Sequence, residues 1–149
     1  MRKGMQTLSI IALFLLILPI DASAYQFNGE KISNPKDAYY YIQGASGNFT
    51  STNRSEIRVG ITAWNDTPEI QFTKEVSHLG AEVIVEYLDF YSGDTYGTYN
   101  RTSEIITLYK KWRVDATTTE RIEIAAHEVG HALGLAHTQK VNDPISVKF

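Results

Sequence analysis

The chain has 149 residues, 43% of them hydrophobic and 21% charged. That is ordinary globular usage, which excludes a disordered or fibrous protein and fits a single domain. A formal charge of −3 gives no electrostatic reason to bind nucleic acid. The absence of cysteine excludes disulfides, a thiol nucleophile, a Cys-ligated metal and a thiolate plug on an active-site metal.

The N-terminus opens with Arg2 and Lys3, continues through an apolar run of 13 residues from Leu8 to Ile20, and ends in Ala22-Ser23-Ala24. This is the order of a secretory signal peptide with a small-x-small cleavage site. Residues 1–24 are therefore expected to be removed before Tyr25, leaving residues 25–149 as a secreted, extracellular domain. The run is short for a bilayer span of about 20 residues. A membrane-tethered form with an uncleaved N-terminus is the alternative. Losing Arg2, Lys3 and Asp21 takes the formal charge from −3 to −4. No later stretch is apolar enough to cross a membrane. Asn48, Asn53, Asn65 and Asn100 each begin a glycosylation sequon, relevant only in a host that glycosylates.

Residues 25–37 are polar, contain Gly29 and Pro35, and read as an irregular lead-in. Ala38 to Ile42 carries three tyrosines and reads as a strand. After turn chemistry at 44–48, Asn53 with Glu56 three residues on suggests a capping box, and Ile57, Ile61 and Trp64 follow at helical spacing. Gly60 counts against that helix, and Pro68 marks its limit. Ile70 to Lys74 and Ala81 to Phe90 read as strands, with a turn at Ser92-Gly93-Asp94. Tyr96 to Tyr99 reads as an edge strand and Glu104 to Tyr109 as a further strand. A last helix is predicted from Thr117, boxed by Glu120, to about Leu133, stopping at Gly134. The order predicts an α+β fold, a mixed twisted sheet packed on two main helices.

Residues 127–137 read His-Glu-Val-Gly-His-Ala-Leu-Gly-Leu-Ala-His. Positions i and i+4 of a helix share a face, so the rings of His127 and His131 can grip one ion. His137 faces elsewhere if the helix continues. Gly134 can adopt the left-handed conformation that ends the helix and returns His137 to the ion. Three nitrogens hold zinc and leave a position for water. Glu128, beside the first ligand, is then placed to act as general base on a zinc-activated water. With Gly at about 7% of residues, the extended pattern matches by chance in roughly one of a hundred thousand chains of this length. The competing reading is an amphipathic helix with buried histidines and a core stripe of Ile122, Ala126, Val129 and Leu133. Two ionisable rings and a carboxylate are costly there without a partner.

This motif resembles that of the metzincin zinc peptidases. The fillers Gly130 and Leu135 resemble the matrixin branch, including small bacterial matrixin-like proteases. Ala63-Trp64-Asn65 followed by Ile70-Gln71-Phe72 is similar to that family's first helix leading into its second strand, and Ala81 to Phe90 to its third. The resemblance implies a zincin-like fold and zinc endopeptidase activity on protein or peptide substrates, extracellular matrix proteins included. It implies one catalytic Zn2+ on His127, His131 and His137 and Glu128 as base. It also implies a monomer and an extended substrate paired to an edge strand, for which Tyr96 to Tyr99 is the candidate, an ordinary edge strand being the equal alternative.

The family's methionine-containing turn is not matched. Met1 and Met5 are the only methionines. Asn142 to Val147 resembles the approach to that turn, but Lys148 stands where Met is expected. Twelve residues follow His137, so a shortened C-terminal part is expected. His78, the one histidine outside the motif, reads as a surface residue. Asp66, Asp89 and Asp94 are candidate Ca2+ ligands, though scattered carboxylates are ordinarily solvated. The departures motivate a second reading, a secreted zinc-binding protein of this fold with little or no proteolytic activity.

Overall fold

The computed structural model describes residues 26–27, 32–44 and 48–137. Its centre is a five-stranded sheet made of β2 (Ala38–Ile42), β3 (Phe72–Glu75), β4 (Val83–Leu88), β5 (Gly97–Asn100) and β6 (Ile105–Tyr109). The spatial order is β3-β2-β4-β6-β5; all neighbours run parallel except β5, which lies antiparallel to β6 at the sheet edge. A separate two-stranded ribbon pairs β1 (Gln26–Phe27) with β7 (Leu135–Ala136). Among the described residues no helix is long and apolar enough to cross a membrane.

Alternation fixes which face of the sheet is covered. Ala38, Tyr40 and Ile42 of β2, Val83, Val85 and Tyr87 of β4, and Ile106 and Leu108 of β6 are all buried. The intervening residues of these strands are half-buried. Helices α1 (Ser51–Thr62) and α3 (Thr118–Ala132) close the buried face and pack on each other. They approach closely at Gly60, where a Cβ would stand 2.7 Å from both the Ala125 Cβ and the Ile122 carbonyl oxygen. The glycine that weakens α1 as an isolated helix is what admits α3.

The α3 boundaries match expectation. Thr117 caps the helix and Glu120 completes the box; Gly134, with φ of +92°, ends it. For α1 the box is shifted. Thr50 is the cap and Asn53 its third helical residue, the two exchanging side-chain and backbone hydrogen bonds. Glu56 is therefore free of capping and serves elsewhere. The core stripe of α3 also differs: Ile124, Ala125, Val129, Ala132 and Leu133 are buried, whereas Ile122 and Ala126 are half-buried. A short helix α2 (Lys110–Val114) follows β6 without a sequence expectation. It buries Trp112 completely, with the indole N–H donating to the Arg121 carbonyl at 2.9 Å. The lead-in contains β1 and a 3-10 turn over Pro35–Asp37 rather than being wholly irregular.

Three of the four sequon asparagines make side-chain hydrogen bonds within the chain, Asn100 accepting from the Thr102 and Ser103 backbone N–H groups. The Asn53 amide donates to Glu56 at 3.1 Å. Asn65 pairs with Phe72 like a strand neighbour, accepting from its N–H at 2.8 Å and donating to its carbonyl at 3.2 Å. Asn48 and Asn100 are exposed.

Candidate active site

Helix α3 carries His127 and His131 one turn apart on the face that emerges beside β5. At Gly134 the chain reverses, and β7 lies against β1 with Phe27 opposite Leu135 and Gln26 opposite Ala136. His137 follows directly and its ring swings back over the helix. The three Nε2 atoms converge at 2.9 Å (His127–His137), 3.1 Å (His127–His131) and 2.8 Å (His131–His137).

This cluster fits zinc on its own chemistry. His131 Nδ1 lies 2.7 Å from the Leu135 carbonyl oxygen. A carbonyl only accepts, so Nδ1 carries the proton and the Nε2 lone pair faces the other two rings. Three neutral imidazoles cannot satisfy one another through a single shared point; a cation there satisfies all three. Nitrogens bound to one zinc at about 2.0–2.1 Å stand about 3.3 Å apart, so the ring nitrogens need to open by about 0.5 Å or less. Burial, then the charges of His131 and His137, hold His127 down to about 4, the neutral form that binds metal. Burial and His137 likewise lower His131, against its bond to Leu135. Among the described residues this trio is the one group of acids and histidines arranged to hold an ion.

Glu128 is 7% exposed and stands outside that trio, so the structure separates it from the candidate ligands. Burial pushes its carboxyl up to about 7, opposed only by a hydrogen bond from the Tyr99 backbone. A group poised near neutrality can both take and return a proton. Edge strand β5 packs over it at Gly97, where a Cβ would lie 3.4 Å from Glu128 Cγ and 2.8 Å from Leu108 Cδ2.

Trp64 holds the helix segment that carries the site. Its indole N–H donates to the Ala126 carbonyl at 2.9 Å, and a Cβ on Gly130 would stand 3.1 Å from its ring. Gly130 thus has a packing reason, contact with the Trp64 ring, that its place in the motif does not reveal.

Calcium at the candidate carboxylates, for which solvation is the ordinary reading, finds no support among the described residues. Asp89 is held by the Tyr87 hydroxyl at 2.8 Å and by Arg113 at 3.2 Å, and Asp94 lies 3.8 Å from Lys111 Nζ. These three acids do not come together. His78 is exposed, its ring edge-on to Tyr41. Lys148 and the expected approach to a methionine turn lie outside the described residues.

Comparison with known proteins bears on the same segment. The family profile described as Astacin (Peptidase family M12A) matches residues 30–146. Karilysin of Tannerella forsythia is 24% identical over 133 residues, covering 76% of this chain and 28% of its own length. This chain thus spans little more than a quarter of that relative. A solved structure titled "Structure of myroilysin" matches with a TM-score of 0.55 and 19% identity, covering 74% of this chain and 53% of that one. That likeness shows the fold, a metzincin-like α+β arrangement of mixed sheet and helices.

Proposed function

The chain belongs to the astacin family of peptidases, a zinc-dependent family, and on that premise we propose that it is a secreted zinc endopeptidase. The observation that carries this reading is the convergence of three Nε2 atoms within 3.1 Å beside a buried carboxylate that is not one of them. The matrixin-like character of Gly130 and Leu135 stays within this reading as a likeness of branch.

His127, His131 and His137 would hold the ion, with the His131 tautomer set by Leu135. Zinc held there supplies Lewis-acid chemistry, polarising a carbonyl and acidifying water. Glu128 takes the proton of the attacking water and returns it to the departing amine. An extended peptide lies along the open edge of β5, where main-chain pairing gives affinity without demanding a sequence. The predicted leader at residues 1–24 supports export and action on extracellular protein away from the membrane.

A zinc-binding protein without proteolysis is the second reading, favoured by Lys148 where a methionine is expected. Zinc content and cleavage of a broad peptide library, measured for wild type beside Glu128→Ala, separate the two. The enzyme reading expects one zinc per chain in both proteins and cleavage in wild type alone. Stoichiometric zinc with both proteins inactive would leave the binding reading standing.

A further inference from the structure

The main chain of β5 has two sides, and its register assigns them. Tyr109 N–H donates to the Tyr96 carbonyl, so Tyr96 faces β6. Antiparallel pairing alternates, so Thr98 opposite Thr107 and Asn100 opposite Ile105 also face β6. Gly97 and Tyr99 then turn their N–H and C=O groups to the open edge. Helix α3 packs against β5, and Glu128 Cγ comes under Gly97 on the sheet face that Leu108 also covers, where no side chain intervenes. The Tyr99 backbone is hydrogen-bonded to the Glu128 carboxylate.

We propose that the main-chain N–H of Tyr99 is the positioning group for Glu128, with Gly97 supplying the clearance that lets the carboxylate reach it. The inference rests on the reading of Glu128 as general base. A buried carboxylate on a side chain with three rotatable bonds is catalytically useful only if its oxygens stay in place. Trp64 and the capping box fix the helix backbone, but neither touches the carboxylate. Tyr99 N–H fixes it from a strand whose own geometry is set by β6. A consequence concerns substrate: that N–H is already committed, so an extended peptide on β5 pairs through the Gly97 and Tyr99 carbonyls and the Gly97 N–H.

Proline at position 99 removes this N–H while sparing the ladder to β6, because edge strands tolerate proline where the N–H faces outward. Tyr99→Ala removes the ring and keeps the N–H, and so serves as its control. Relative to Tyr99→Ala, Tyr99→Pro is expected to lower kcat about 10–100-fold, with KM, zinc content and melting temperature unchanged. Equal kcat in the two variants, or a rise in KM in place of the fall in kcat, overturns the proposal. Amide hydrogen exchange tests it without any turnover. Glu128→Ala should accelerate exchange at Tyr99 and leave Thr98 and Asn100 as protected as in wild type. Unchanged exchange at Tyr99 overturns the positioning role, whereas accelerated exchange in an inactive wild-type protein faults only the enzyme reading.

Discussion

Two glutamates are buried at opposite ends of the helix layer, and they are treated in opposite ways. Glu56 on α1 is 4% exposed and meets Arg121 of α3 through both carboxylate oxygens, at 2.6 and 2.8 Å, with Asn53 donating as well. Burial alone would raise its pKa, but the Arg121 and Asn53 hydrogen bonds and the Arg121 charge outweigh it and hold it below the usual carboxylate value. Glu128 on α3 is 7% exposed, meets no cation among the described residues, and is pushed up to about 7. The same side chain is an ion-paired anion in one place and, in the proposed reading, a proton acceptor in the other. What differs is the counter-charge. A paired carboxylate holds two helices together; one left against a lone backbone N–H keeps a free energy cost that chemistry can use.

The largest expected effect separates them by role. Glu128→Gln should lower peptide cleavage at least about 100-fold while leaving the melting temperature of the metal-free protein at or above that of wild type. Loss of stability in that variant would mean Glu128 is structural after all. Next comes Arg121→Met, which leaves Glu56 buried without its partner and should cost about 3 kcal/mol in denaturant unfolding. Its zinc content at low temperature should not change. A neutral result would show that the pair is dispensable.

Acid sharpens the same contrast. Glu56 has its folded pKa below 4.5, so its contribution is complete above that value and is lost as pH falls through the lower folded one. Unfolding followed by circular dichroism on metal-free protein should show stability declining below about pH 4.5, less steeply in Arg121→Met. Equal slopes in the two proteins would remove Glu56 from the acid response. The smallest effect is expected at the helix contact between the two sites. Gly60→Ala places a Cβ against backbone of α3 and should cost about 1–3 kcal/mol through overpacking, with the loss read in thermal melts. A gain would mean that helix propensity outweighs the close approach.

Much of the candidate site was legible because its information is local. Thr117, Glu120 and Gly134 carry the start and stop of α3 in residue types that do one job each, and the histidine spacing places the rings by helix geometry alone. The cap of α1 was harder. Asn53 and Thr50 are both good capping residues, and only the folded chain shows Asn53 used as the inner member of the box. Helix α2 is five residues, too short for a period to appear, so the burial of Trp112 had no signal. The Glu56–Arg121 pair spans 65 positions of sequence, and β1 finds its partner at the far end of the described chain. The Tyr99 contact with Glu128 is invisible for another reason: its donor is main chain, which every residue but proline supplies.

The central claim is that His127, His131 and His137 form one zinc site. Zinc bound per chain, measured for purified wild type and for His131→Ala after dialysis against a weak chelator, tests it most directly. One ion per wild-type chain and none retained by the variant is the expected result. Zinc content unchanged by His131→Ala would contradict it.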